Sequence, residues 1–199
     1  QHGSNEVEVS KRVLKRLNEL QKNLPKEINL ALTVDRTQFT KDSIHELITT
    51  LILSALVTSL VCWLFLGSLA STFNILLAIP TSILGTFIFI YFLGFTLNTF
   101  SILALSLAIG IVVDDAIMVL ENIVRHREKG LGRVEAAKTG AKQISFAATA
   151  TTIAIIAIFL PVAFMAGIIG KFFYQFGITL SIAVGLSLFE ALTLTPMRC

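Results

Sequence analysis

The sequence predicts a predominantly α-helical membrane protein: a polytopic bundle of five spans, preceded by a short α/β piece. Three observations predict this class. Hydrophobic residues make up 54% of the 199 residues, and the mean hydropathy of +0.79 is high for a soluble domain. Charged residues lie almost entirely in residues 1–46 and 121–142. Long apolar segments fill the rest, as expected of helices that cross a bilayer.

The first 42 residues predict a helix followed by a strand. Apolar residues recur with the helical period from Val13 to Leu24, which predicts a helix over residues 6–24 that ends at Pro25. Apolar and polar residues then alternate, which predicts a strand over residues 28–34. So small a piece cannot bury a core alone. We therefore expect it to be the end of a larger water-soluble domain.

The remaining residues, 43–199, predict the membrane domain. Ser43 and Glu46 have the spacing of a capping box at its start. Twenty apolar residues at ~1.5 Å rise span about 30 Å, the thickness of a bilayer core. The last predicted span ends at Pro196. The five predicted spans cover about residues 47–66, 69–93, 95–120, 143–167 and 172–195.

The distribution of basic residues predicts the orientation. Six Lys and Arg lie between the third and fourth predicted spans, whereas the loops on the opposite side contain one. Short cytoplasmic loops collect basic residues, so residues 121–142 are predicted to be cytoplasmic and possible neighbours of lipid headgroups. Five crossings then place residues 1–42 outside. No pattern points to a nucleic-acid partner.

Asp114 and Asp115 lie side by side in the third predicted span. One Asp at mid-membrane costs roughly 2.5–3.5 kcal/mol, so two must be offset by partners, protonation or water. Neighbouring helix positions differ by about 100°, so the two side chains point to different neighbours. Each continues a stripe of small residues, which lets helices approach closely. We expect both carboxylates to face protein.

No Lys, Arg or His occurs inside the predicted spans. An ionised pair would therefore need a positive partner from chain outside this sequence, or a bound cation. Without one, burial and like-charge repulsion favour at least one proton on the pair. A group that changes its protonation as a cation approaches is a proton carrier. The sequence thus predicts a proton relay at Asp114 and Asp115, driven by the proton-motive force and without a cofactor.

Two other readings of the doublet are open. The aspartates could be structural, binding neighbouring helices in a scaffold subunit that transports nothing. They could also form an intramembrane aspartyl protease, but that chemistry needs two carboxylates that share a proton about 3 Å apart, and neighbours on one helix diverge. Nothing in the sequence indicates nucleotide-driven transport or a metal site. The transporter reading is the one we adopt.

Four further residues are secondary candidates. Glu190, in the last predicted span, could be a second relay or cation site, or could snorkel or pair with a basic residue. Glu121 and Asn122 close the doublet helix and could form an inner proton exit or an interfacial cap. Thr151 could bond freed backbone or hold water near the pair, although Thr in packed helices is usually structural. His45 and His126 are expected to be solvated.

Several motifs carry a family resemblance. GIVVDDAIMVLENI over residues 110–123 is the most specific, and FSILALSLAIG and Leu97-Asn98-Thr99 precede it. Further matches, in order along the chain, are SIHELI, PTSILGTF, FLPVAFMAG, YQFGITL and LTLTP. With these motifs the chain resembles the resistance-nodulation-division (RND) superfamily, and in particular its hydrophobic and amphiphilic drug-efflux branch.

The resemblance implies a role for each part. Residues 1–42 would end a periplasmic porter subdomain, and the five spans would be the second to sixth helices of the amino-terminal half of an RND-type bundle. Asp114 and Asp115 would be the proton-relay aspartates, with basic partners on the carboxy-terminal half. Glu190 departs from the family, which usually has an apolar or small residue near this point.

The resemblance also implies a setting. The whole protein would be a homotrimer in the bacterial inner membrane, with a periplasmic adaptor and an outer-membrane channel. It would exchange protons for organic amphiphilic compounds. Heavy-metal exporters of the superfamily usually break the doublet, and protein-export relatives lack the doublet helix, so both are the weaker alternatives.

Overall fold

The computed structural model describes residues 6–25, 30, 37–67 and 69–199. These residues form six helices, whose bounds are α1 Glu6–Asn23, α2 Thr37–Leu66, α3 Leu69–Phe92, α4 Thr99–Glu128, α5 Arg133–Ala163 and α6 Gly167–Arg198. Helices α2 to α6 are each long and apolar enough to cross a membrane. The prediction of five apolar helices is therefore confirmed.

The amino-terminal piece is described only in part. Helix α1 covers nearly the same residues as the predicted helix, and the element that it contacts among those described is α2. The predicted strand over residues 28–34 lies outside the described residues except for Leu30, which is in neither a helix nor a strand. Within the described part of the chain no strand occurs, and assignment of residues 1–42 to a porter domain stays a prediction.

Four of the apolar helices run beyond the spans predicted for them. Helix α2 begins ten residues before residue 47, so Ser43 lies inside the helix and does not begin it. The charged residues at the end of α4 and at the start of α5 are helical, and α6 continues through Pro196 to Arg198. Hydropathy reports the apolar stretch alone, whereas Lys, Arg and Glu form helix readily once outside it. Pro196 removes the hydrogen bond that an N–H there would donate to the residue 192 carbonyl oxygen, but only Met197 and Arg198 follow it in α6, so little helix is disturbed.

The connection between α4 and α5 is much shorter than the predicted loop of residues 121–142. It comprises residues 129–132, where Gly130 has a φ of +90° that favours glycine. Residues 134–141, which belong to the predicted loop, form the first turns of α5, and Ala137 is buried there. The polar ends of α4 and α5 thus pack on each other as an antiparallel pair.

Helix α4 is the centre of the bundle and packs against α2, α3, α5 and α6. An Asn98 cap fixes its start: the Asn98 side chain accepts from the N–H groups of Phe100 and Ser101 at 2.9 and 3.1 Å. Further along, Ala104 and Ala108 pack into a buried cluster with Leu180 and Val184 of α6. These small residues bring the two helices close, and Asp115 follows Ala108 two turns later and Ala104 three turns later.

Helix α5 approaches both of its neighbours closely at glycines. A Cβ placed on Gly140 would lie 2.9 Å from Ile123 Cα of α4, and one on Gly177 of α6 would lie 2.8 Å from the Phe159 carbonyl oxygen. On α6 this close approach occurs at Gly177. It does not extend to Gly185, where an added Cβ would meet nothing within 4 Å.

Candidate proton-relay site

Asp115 lies in the interface between α4 and α6. Asp115 is 4% exposed, and the Ser187 hydroxyl of α6 donates a hydrogen bond to Asp115 Oδ2 at 2.7 Å. The same hydroxyl lies 3.4 Å from the Val112 carbonyl oxygen, one turn earlier on α4. A hydrogen bond to a charged acceptor is short and strong, so Ser187 fixes the orientation of this carboxylate. The expectation that Asp115 faces protein is met.

Asp114 points the other way. It is exposed on α4, in line with the exposed Gly110 on one side and the exposed Glu121 on the other. No hydrogen bond or ion pair joins its carboxylate to any residue that the structure describes. The expectation that both aspartates face protein therefore fails for Asp114 within this chain. The 100° step between neighbours, with α6 covering only one side of α4, is the physical reason.

The doublet thus presents two unlike carboxylates on one helix. One is enclosed and oriented by a hydroxyl, and the other is open on the uncovered face of α4. An ionisable side chain in mid-helix cannot face acyl chains without a large cost. In a membrane, the open carboxylate requires a covering element that supplies charge or hydrogen bonds.

Glu190 lies one turn beyond Ser187 on α6 and is 4% exposed. Arg198 Nη2 donates to Glu190 Oε1 in an ion pair, and the Thr195 hydroxyl donates to Oε2 at 3.1 Å. Arg198 Nη1 also lies 3.5 Å from the Asn74 carbonyl oxygen of α3. Of the readings open for Glu190, the pairing with a basic residue is the one present. The partner escaped sequence analysis because α6 was expected to end before Arg198.

The other secondary candidates lie apart from the doublet. Glu121 is exposed on the Asp114 side of α4. Asn122 is buried and donates to the Gly140 carbonyl oxygen at 2.8 Å and to Gln143 Oε1 at 3.3 Å, which ties α4 to α5. Thr151 is exposed, and its hydroxyl donates to Ala147 of its own helix at 3.0 Å. The structure brings none of these three to Asp115.

The two histidines differ. His45 is exposed, as expected of a solvated residue. His126 is buried, and its Nδ1 lies 2.8 Å from the Asn122 carbonyl oxygen on the preceding turn of α4. The expectation that His126 is solvated was wrong, because the carboxy-terminal end of α4 stays helical and packs on α5. Among the described residues, no three His, Cys, Asp or Glu side chains converge as metal ligands would.

The contact of Ser187 with Asp115 was not predicted from the sequence. The available signal was a hydroxyl among several Ser and Thr residues of the last predicted span. It could not reveal the partner, because the register between α4 and α6 is set by packing at Ala104, Ala108 and their neighbours.

Comparison with known proteins places the whole chain in context. Residues 1–199 match the sequence model of the AcrB/AcrD/AcrF family. The chain is 44% identical over 184 residues to the multidrug resistance protein MdtC of Escherichia coli O1:K1 / APEC and to that of strain SMS-3-5 / SECEC. It is 43% identical over the same length to MdtC of Escherichia coli O81 strain ED1a. Each match covers 92% of this chain, which spans 18% of the length of these relatives.

Proposed function

The chain belongs to the AcrB/AcrD/AcrF family, and on that premise we propose that it is a segment of a proton-driven exporter of organic amphiphilic compounds. The whole protein would be a secondary active transporter rather than an enzyme. The relatives bear the name multidrug resistance protein, which supports organic compounds over metal ions or proteins as cargo. The energy source would be the proton-motive force, with no cofactor.

The observation that carries the proposal is the unlike environment of the two aspartates. Asp115 is held by Ser187 inside the five-helix body, while Asp114 is open on the uncovered face of α4. An open carboxylate needs a positive partner, and the chain spans 18% of its relatives. We propose that the carboxy-terminal half of the same protein covers this face and supplies a basic residue.

The mechanism then follows from charge. A proton from the outer side neutralises a carboxylate of the doublet, which weakens its attraction to the basic partner and lets the two helix sets shift. Release of the proton toward the cytoplasm restores the attraction and the first arrangement. Each charge that crosses 100 mV releases about 2.3 kcal/mol, so one or two protons can support a substantial gradient of cargo.

The proposed setting is the bacterial inner membrane. Residues 1–42 would be periplasmic, and the short connection at residues 129–132, with the flanking helix ends, would be cytoplasmic. The whole protein would form a homotrimer that joins a periplasmic adaptor and an outer-membrane channel. Cargo would pass through the outer domains, which the movement of the helices would drive mechanically.

The test is export by the complete protein in proteoliposomes with an imposed proton gradient. Asp114→Asn and Asp115→Asn should each abolish proton-coupled export while leaving the amount of assembled protein unchanged. Glu128→Gln is the matched control, because Glu128 is an exposed acid at the end of the same helix. Export at the control rate by both Asp variants would refute the relay and favour a structural role for the doublet.

A further inference from the structure

We propose that Glu190 is a second proton-binding residue, which takes the proton from Asp115 by way of Ser187 and passes it toward the inner end of α6. This inference rests on the proposed function and adds to it a path for proton release. Three observations support it: the burial of Glu190, its position relative to Ser187, and a buried hydroxyl without a protein partner on the facing helix α3.

The first step of the path is the Ser187 hydrogen bond. Its hydroxyl donates to Asp115 Oδ2 at 2.7 Å and is completely enclosed between α4 and α6. Glu190 follows Ser187 by three residues, so both side chains lie on the same face of α6, with Cβ atoms about 5–6 Å apart. Both are buried. Ser187 therefore lies one turn from the next acid along the helix, whose two carboxylate oxygens are bonded to Thr195 and Arg198 toward the end of α6.

Helix α3 places another hydroxyl beside this pair. Gly85 lies against Leu186, since a Cβ on Gly85 would be 3.1 Å from Leu186 Cδ1, and Asn74 contacts Arg198. The two helices are thus antiparallel, and this register sets Ser82 opposite residues 189 and 190. Ser82 is 2% exposed, and its Oγ has no hydrogen-bond partner among the described residues.

An unpaired buried hydroxyl is costly and rare, and so calls for an explanation. A hydroxyl can accept a proton at its oxygen while giving up its own, so a buried Ser opposite Glu190 is suited to proton transfer. Ser82 shares a helix face with Gly85, which packs on Leu186 of α6. We assign Ser82 the role of a link between Ser187 and Glu190, directly or through a bound water.

The transfer conserves protons and charge. The neutral Asp115 carboxyl gives its proton to Ser187 Oγ, and Ser187 passes its own proton onward, through Ser82 or water, to the Glu190 carboxylate. Asp115 becomes negative and Glu190 neutral, while the hydroxyls are restored. Glu190 then loses the proton at the inner end of α6, where Arg198 stabilises the carboxylate that remains.

The charged and titratable groups around Glu190 are few. Arg198 lies on its own helix, and Asp115 of α4 lies beyond Ser187. The Cys199 thiol, which donates to the Thr195 carbonyl oxygen at 3.2 Å, lies at the Arg198 end, where the charge of Arg127 of α4 also acts on it. Helix α3, which faces Glu190, has no charged residue. Arg198 is 25% exposed at its side chain, so the pair has one enclosed and one open end. The open end gives the proton its exit.

The decisive experiment separates this role from that of a structural ion pair. In the complete protein, Glu190→Gln removes the acid, and the double variant Glu190→Val with Arg198→Met removes both charges together. Taking out both partners of a buried pair is often neutral for stability, so the double variant should assemble normally. We expect both variants to slow proton-coupled export at least about tenfold, the lower part of what proton-transfer groups contribute.

Infrared difference spectra add a readout that a structural role would not move. An acid pulse on the outer side should produce a carboxylic acid band that Glu190→Gln lacks and that Asp115→Asn prevents. Ser82→Ala should delay the band and slow export. Thr179→Val is the control, because Thr179 of α6 is also buried and its hydroxyl also lacks a partner among the described residues. It should neither delay the band nor slow export.

The outcomes are distinct. Export at the wild-type rate by the double variant, or a Glu190 band that persists in Asp115→Asn, overturns the second proton site. Normal export by both Asp114→Asn and Asp115→Asn instead overturns the proposed function itself. If Glu190→Gln slows export but Ser82→Ala leaves the timing of the carboxylic acid band unchanged, Glu190 is in the path and Ser82 is not.

Discussion

Replacement of Ser187 by Ala tests the hydrogen bond that orients Asp115, the enclosed aspartate. The substitution removes a 2.7 Å hydrogen bond whose two groups are both buried. A hydrogen bond to a charged group contributes about 1.5–3 kcal/mol. Because 1.36 kcal/mol is a factor of ten, the loss corresponds to about a 10-fold to 150-fold change in the equilibrium of any step that makes or breaks this bond. Proton-coupled export by the complete protein should fall by a factor in this range.

The assay is export by proteoliposomes under a fixed proton gradient, with the thermal unfolding midpoint measured on the same preparations. Ser181→Ala is the matched control, because Ser181 lies on the same helix and donates to the Gly177 carbonyl oxygen of its own backbone at 2.7 Å. Its loss should leave export near the wild-type rate. Equal effects of the two substitutions, or a loss of export that follows a loss of folded protein, would refute a role for Ser187 at Asp115.

Two other predictions concern the bundle itself. Gly140→Ala should destabilise the protein by about 1–3 kcal/mol, because the new Cβ would meet Ile123 Cα at 2.9 Å. A lowered thermal unfolding midpoint would measure this loss. Gly185→Ala, where an added Cβ meets nothing within 4 Å, should not lower the midpoint. In a cysteine-free background, Thr96→Cys should react with a membrane-impermeant maleimide in intact spheroplasts and Lys129→Cys only after permeabilisation. Labelling in the reverse pattern would contradict the proposed orientation.

The sequence sufficed for the number and approximate places of the apolar helices because hydropathy over some twenty residues is a strong signal. It was weaker at their ends. The charged ends of α4 and α5 are helical and packed, and Asn122 reaches across to Gly140 there. Nothing in a hydropathy profile distinguishes a polar helix end from a polar loop, so the connection between α4 and α5 was expected to be far longer than residues 129–132.

For the candidate site too, the sequence predicts the local geometry but not the packing between helices. The adjacency of Asp114 and Asp115 is a local fact, and the 100° step along a helix predicts that they diverge. Which of them is enclosed depends on how α6 lies on α4, and sequence alone leaves that register open. The pairing of Glu190 with Arg198 was missed for a related reason. Pro196 predicted the end of the helix, whereas α6 continues through it to Arg198.

The spacing of the two acids matters for the proposed relay. Acids four residues apart would share one face, and both would lie either against α6 or away from it. Adjacent acids must differ, so one can be fixed by Ser187 while the other remains available to a separate body of helices. Because the two side chains share one backbone, a movement of α4 that changes the surroundings of Asp114 also moves Asp115 against Ser187. The doublet can therefore link the charge state of the enclosed acid to the position of the covering helices without any additional coupling element in this chain.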